Sequence, residues 1–348
     1  MDRRDVLRAG VTGIGAAVAG CLGGFERQSA WRDPPLVADR PQAVYVPAIT
    51  EGMALADRRT TNEYEVALTY SYPHRFWNVQ GDTREKVIVD ADDSIHLMAS
   101  IWDRESGLVV PSSGVSLEIL QGDIPVSQEV IYPMLSQQMG FHYGANFTLD
   151  GEGEYRARVS IGGLSTARTG EFADRFSEPR SVEIPFTFDT DELYDLSIRR
   201  LGDRQGTRDA IPPMDMDVPA GTVPNVTTGS VVGSGTSGDA QFTARVFQDE
   251  ARFGEQPYLA VTAHTPYNQI VLPMMQLQAG LQNESGGTDT YPLKPTFDPK
   301  LGYHYGANLE EGVTVDRLEL ATELPPQVAR HDGYETAFFE MPTVAIGG

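Results

Sequence analysis

The residues of this chain best suited to chemistry are few: six histidines and one cysteine. A neutral imidazole is the commonest metal ligand among side chains, so the histidines come first. His142 and His304 sit in matching blocks, GFHYGAN (140–146) and GYHYGAN (302–308), which differ only at Phe141 and Tyr303. The match extends outward. Tyr132 to Gly153 reads YPMLSQQMGFHYGANFTLDGEG, and Tyr291 to Val313 reads YPLKPTFDPKLGYHYGANLEEGV. Both hold Tyr-Pro, then the histidine block, then an acidic turn. Such repetition implies two homologous units. Two readings of the repeated histidine stand side by side: a half-buried hairpin residue bonded to a backbone carbonyl, or a metal ligand. If His264, His304 and His331 converge, three imidazoles suit copper, iron, nickel or zinc. Met274 and Met275 follow the His264 strand and could add a soft thioether, favouring copper(I). His74, in YPHRFW, could pack among aromatics. His96, in SIHLMAS, alternates with apolar residues and is expected to be structural.

The single cysteine falls where it cannot serve a metal cluster. The chain opens MDRRDVLRAGVTGIGAAVAGC. Arg3 and Arg4 precede an apolar, Gly/Ala-rich stretch from Ala9 to Gly20, the pattern of a secretory signal of the twin-arginine kind. Val18-Ala19-Gly20-Cys21 has the form of a lipobox, with the Cys21 thiol as the lipid acceptor. A second acyl chain or diether is then expected, because one lipid holds weakly. With its only cysteine used this way, the chain forms no internal disulfide, thiolate nucleophile or zinc–cysteine cluster.

The formal net charge is −22, from 49 acidic and 27 basic residues. Lysine appears only as Lys86, Lys294 and Lys300. An acidic, lysine-poor surface suits concentrated salt, where the Debye length falls to about 3 Å at 1 M and self-repulsion is screened. Signal, lipobox and charge together resemble a haloarchaeal surface lipoprotein. The same charge excludes nucleic acid as a partner, since no basic stripe exists to neutralise phosphates.

The elements that must position the histidines read as strands. Tyr155, Ala157, Val159 and Ile161 alternate with Arg156, Arg158 and Ser160. Tyr64–Tyr70, Val115–Ile119, Phe242–Val246 and Tyr258–Thr262 behave alike. Period two means strands with one buried face. The 35 glycines and 23 prolines mark frequent turns. The expected fold is all-β: two immunoglobulin-like antiparallel β-sandwich domains joined by a Pro/Gly/Ser/Thr-rich linker. The expected layout is a signal at 1–20, a lipidated spacer at 21–41, a first sandwich at 42–201, a linker at 202–239 and a second sandwich at 240–348. The linker, with IPPMDMDVPAGTVPN and TTGSVVGSGTSGD, is expected to be stiff at first and flexible later. Asn146, Asn225 and Asn283 open tripeptides of glycosylation form, with Asn225 the best placed.

AVYVPAITEGM (Ala43–Met53), the lead-in Tyr132–Met134, GFHYGAN and the late PPQVARHDGYETAFF (Pro325–Phe339) together resemble the periplasmic high-affinity iron(II)-transport lipoproteins. The resemblance is split: the first unit has the opening segment, the second the closing Arg330-His331-Asp332. It implies an immunoglobulin-like sandwich that binds copper or iron(II), with ligands from a methionine, the histidine of the His-Tyr-Gly motif, a late histidine and an early His/Glu pair. Carried over, these are Met134 or Met139, His142 or His304, and His331. Glu65 with His74, or His264, stand nearest the early pair. Where a late histidine would stand, the first unit has Arg168-Thr169-Gly170. The implied role is a lipid-anchored extracytoplasmic metal-binding protein that assists uptake of iron(II) or copper. Its partners would be the membrane, a permease and, in a homodimer, a second copy. The competing reading is a non-catalytic cell-surface interaction module with no metal site. An enzyme ranks last, since no Ser-His-Asp arrangement, nucleotide loop or HExxH is present.

Overall fold

The structure is a computed structural model that describes residues 34–283 and 286–348. Arg3, Arg4 and Cys21 lie outside the described residues. No described helix is long and apolar enough to cross a membrane.

The described chain is almost entirely β. The alternation read in the sequence becomes burial directly: in Gly153–Ile161, Tyr155, Ala157, Val159 and Ile161 are buried and the arginines between them are not. Two sheets face each other in the first sandwich. One has four strands, in the order Arg180–Phe188, Gly153–Ile161, Val115–Gln121 and Ile124–Val130. The other has eight. Its order is Ala54–Thr61, Tyr64–Ser71, Ile95–Asp103, Gly140–Phe147, Tyr132–Ser136, Ala329–Arg330, Phe76–Gln80 and Thr83–Val87.

One strand of that larger sheet comes from the far end of the chain. Ala329–Arg330 pairs in parallel with Met134–Leu135, and Arg330 also pairs with Trp77. The second sandwich returns the favour. Ala167–Arg168 pairs in parallel with Thr296–Phe297. The sandwiches therefore exchange an Ala-Arg strand, and a stack of Phe172 on Phe297, with ring centroids 4.8 Å apart, joins their cores. The apolar core is continuous through both units.

The second sandwich runs Ser230–Ser237, Ala240–Phe247, Tyr258–His264, Gly302–Asn308, Thr288–Asp298, Gln276–Gln282, Arg317–Leu324 and Val344–Gly347. Its first and last strands touch, which nearly closes the sheet on itself. The long strand Thr288–Asp298 serves both layers: residues 294–298 pair with Gly302–Asn308, and residues 288–293 pair with Gln276–Gln282.

The segment 202–239 is not a flexible spacer. Its backbone bonds to both units: Met214 N–H donates to Gln138 O at 2.8 Å, and Val223 N–H donates to Gln269 O at 3.0 Å. Near its end lies the strand Ser230–Ser237, paired with Ala240–Phe247, so the second sandwich begins before residue 240. The Gly/Ser composition read as flexibility is also that of an edge strand packed closely on a neighbour, and pairing decided between the two.

Candidate metal centre

Ile95–Asp103 is buried along its whole length, on both faces. Ile95, Leu97, Ala99 and Ile101 belong to the shared core. Period two therefore turns His96 and Met98 to the opposite, outer face of the sheet. On the neighbouring strand Phe141 and Tyr143 face the core, which turns His142 outward beside them. That outer face is roofed by two segments from opposite ends of the chain. Tyr45 N–H donates to Gly333 O, the Tyr45 hydroxyl donates to Glu335, and Thr336 Oγ1 donates to Ala43 O. Both segments also reach the loop after Tyr64–Ser71: Arg75 donates to Pro34 O and is paired with Asp332 at 2.6 Å.

Four imidazoles meet under this roof. His74 comes from the loop after Tyr64–Ser71, His96 and His142 from paired strands, and His331 from the exchanged strand's end. Ligand nitrogens of His74, His96 and His331 lie within 4.8 Å of one another. The His142 ring centroid is 5.3 Å from that of His331. The His74 and His96 ring centroids are 4.0 Å apart. Gly144 makes this possible. A Cβ there would sit 3.0 Å from His96 Nε2 and 3.2 Å from Met134 Sδ, so the missing side chain leaves room for both donors. A cavity of about 80 Å³ opens beside them, lined by Glu51, Met53, Met98, Met139, His142 and His331 among others.

Hydrogen bonds fix which nitrogen is bare. His142 Nδ1 lies 3.1 Å from Gly140 O, and His96 Nδ1 lies 2.7 Å from Asn146 Oδ1. Both partners only accept, so each Nδ1 carries the proton and each Nε2 keeps its lone pair. The Asn146 amide is itself held, its Nδ2 donating to His74 O. His74 Nδ1 lies 3.0 Å from Tyr72 O, and His74 Nε2 lies 3.1 Å from His331 Nδ1. Nε2 of His96, His142 and His331 are all buried without a partner. A buried unpaired polar atom costs roughly 1–3 kcal/mol, and three in one cluster of rings require an explanation. Burial also holds these rings neutral. It lowers His142 to about 4 and pushes His96 and His331 well below the ordinary imidazole value, with His74 adding to each shift. Neutral imidazoles with bare Nε2 are what a transition metal takes as ligands.

The second copy of the motif shows the same histidine in another setting. His304 Nδ1 again bonds a glycine carbonyl, Gly302 O, at 3.1 Å. Its Nε2, however, is capped by the Tyr258 hydroxyl at 3.1 Å.

Of the residues singled out in the sequence, the structure gathers His74, His142, His331 and Met134 in the first sandwich. His264 and His304 lie elsewhere, so the convergence of His264, His304 and His331 does not occur. His304 bonds Tyr258 at the start of its strand, while His264 stands six residues along at the other end. At ~3.3 Å per residue that is about 20 Å. His264 instead bonds Thr265 O. Met275 is buried in the core, and Met274 and Met275 donate their backbone N–H groups to the Tyr303 and Tyr305 hydroxyls, on the face away from His304. Glu65 pairs with Arg58 rather than joining the cluster. His96, expected to be structural, is in the cluster. The signal was present: a residue alternating with core residues is on the other face, and here that face is covered rather than wet.

Residues 225–347 match a family described as a domain of unknown function (DUF7350). No curated protein sequence matches the chain. Among solved structures, the chain is similar to FetP of uropathogenic Escherichia coli strain F11, as isolated. The identity is 22% and the TM-score 0.30, over 39% of this chain and 95% of that one. It is also similar to copper-reconstituted P19 of Campylobacter jejuni, at 21% identity and TM-score 0.31, over 39% of this chain and 96% of that one.

Proposed function

We propose that this protein captures a transition-metal ion, copper or iron(II), outside the cytoplasm, tethered to the membrane through lipid on Cys21, and delivers it to an uptake permease. One observation carries the metal-binding part of this reading. In two copies of one motif, the second histidine has its Nε2 capped by a phenol, and the first has it bare, in a cluster of rings where His96 and His331 also have theirs bare. An interaction module has no use for three buried, unpaired imidazole nitrogens. The donor set is mixed in softness: His74, His96, His142 and His331 suit copper or iron(II), and the buried thioether of Met134 beside His96 Nε2 favours copper(I). Glu51, with Oε2 3.3 Å from His74 Nδ1, adds negative charge at the cavity and draws cations toward it. The delivery step and the tether follow from the leader read in the sequence and the resemblance to iron(II)-transport lipoproteins. We read the chain as a binding protein rather than an enzyme.

The test is metal content after titration with copper(II) or iron(II) in concentrated salt. About one ion per chain is expected, with binding lost in His331→Ala and His142→Ala and kept in His304→Ala. Equal loss in all three variants, or no binding above that of calcium or magnesium, would overturn the reading.

A further inference from the structure

The pairing registers superimpose the two units residue on residue. His142 pairs with Met134, and His304 pairs with Thr296. Asn146 pairs with His96, and Asn308 pairs with Tyr258. Asn146 Nδ2 donates to His74 O, and Asn308 Nδ2 donates to Phe253 O. His74 lies against the His96 ring at 4.0 Å between centroids, and Phe253 stacks on Tyr258 at 4.1 Å. The exchanged strands close the comparison: His331 N–H donates to Leu135 O, and Thr169 N–H donates to Phe297 O. Each donor of the first unit thus has a known counterpart. His74 corresponds to Phe253, His96 to Tyr258, Met134 to Thr296 and His331 to Thr169. Only His142 keeps its type, as His304.

The replacements do more than delete donors. The Tyr258 hydroxyl fills the space over Gly306, where a Cβ would lie 1.8 Å away, and it bonds both His304 and Thr296. Thr169 turns its hydroxyl to Asp298 at 2.8 Å. Arg252, whose guanidinium lies 4.6 Å from the Phe253 ring centroid and 3.7 Å from Asp298, sets a positive charge nearby.

We propose that the second sandwich holds a closed copy of the metal centre, shut by Tyr258, Phe253, Thr296 and Thr169, and that restoring the first unit's residue types there opens a second metal site. The proposal rests on the metal-binding reading of the first site. It also gives the second unit a role in that site: it supplies His331, without which the first unit has no late imidazole.

The experiment is copper(II) titration of the whole chain in three forms. The wild type is expected to bind about one ion. The opening variant carries Phe253→His, Tyr258→His, Thr296→Met, Thr169→His and Arg252→Gln, and is expected to bind twice the wild-type amount. The closing variant carries His74→Phe, His96→Tyr, Met134→Thr and His331→Thr, and is expected to bind none. The closing variant also tests the idea should the opening variant not fold. Its new phenol should cap His142 as Tyr258 caps His304, so without metal it should melt above the wild type. A wild type that binds nothing overturns the metal-binding reading itself. A wild type that binds, with a folded opening variant that binds no more, overturns the closed-copy proposal alone. So does a closing variant that melts below the metal-free wild type.

Discussion

Asn146 shows what a single residue contributes at this centre. Its side-chain oxygen fixes the His96 tautomer and its nitrogen holds the His74 loop. Partners of this kind orient ligands without touching the ion, and their loss costs about 10–100-fold in metal affinity. Asn146→Ala should lower copper affinity by that factor in a competition titration, while Asn308→Ala leaves it unchanged. His304 gives a separate prediction on stability. Burial lowers it to about 4, below the ordinary 6.5. Above pH 6.5 neither folded nor unfolded chain is protonated there. As pH falls, the unfolded chain takes the proton first, so stability is lost between pH 6.5 and about 4. Each such ring contributes at most about 1.4 kcal/mol per pH unit across that window. Metal-free protein should show a lower denaturation midpoint at pH 5 than at pH 7, by less in His304→Gln than in the wild type. Equal drops in the two proteins would count against it. A repeated motif and a late Arg-His-Asp stand out in one dimension, so the sequence singles out His142, His304 and His331 without separating His142 from His304. His96 was hidden because a histidine among apolar residues looks like a satisfied core residue, and only the roof over its sheet face tells otherwise.

Strands do the placing. The HYGAN strand puts aromatics into the core and the histidine on the outer face, and its glycine decides what may stand above the neighbouring strand. Gly144→Ala would bring a Cβ to 3.0 Å from His96 Nε2 and 3.2 Å from Met134 Sδ. The fold should survive, with weaker metal binding, because the ends of two side chains must yield. Gly306→Ala would place a Cβ 1.8 Å from the Tyr258 hydroxyl. Overpacking of that kind typically costs about 1–3 kcal/mol, so this variant should melt lower while copper affinity in the first unit holds. The reverse assignment of effects between the two glycines would refute the geometry. Strand type and face were readable from period two, as Gly153–Ile161 shows. The repeat's alignment was not. Matching Tyr132-Pro133 to Tyr291-Pro292 required a gap, whereas the registers align Pro133 with Pro295 and the following residues up to Asn146 and Asn308 without one. Proline is common enough in this chain for a second Tyr-Pro to mislead.

At the scale of the molecule, the two sandwiches are not beads on a string. Each lends an Ala-Arg strand to the other, and the segment between them is bonded to both. Pairing between distant segments leaves no period or motif, so neither the exchange nor the packed linker could be read in advance. A chain truncated after residue 201 loses Ala329–Arg330 and His331 together. It should bind no copper, and adding residues 202–348 as a separate polypeptide should restore binding if the exchanged strands find their places.

The exchange also sets an order in time. His74, His96 and His142 are made well before His331, with about 190 residues still to add after the third. At roughly 5–20 residues per second a ribosome needs on the order of 10–40 s for that stretch. Throughout it, the nascent chain carries three imidazoles of the cluster and lacks His331. The cluster of four is completed only when nearly the whole polypeptide exists, so no half-made chain carries it.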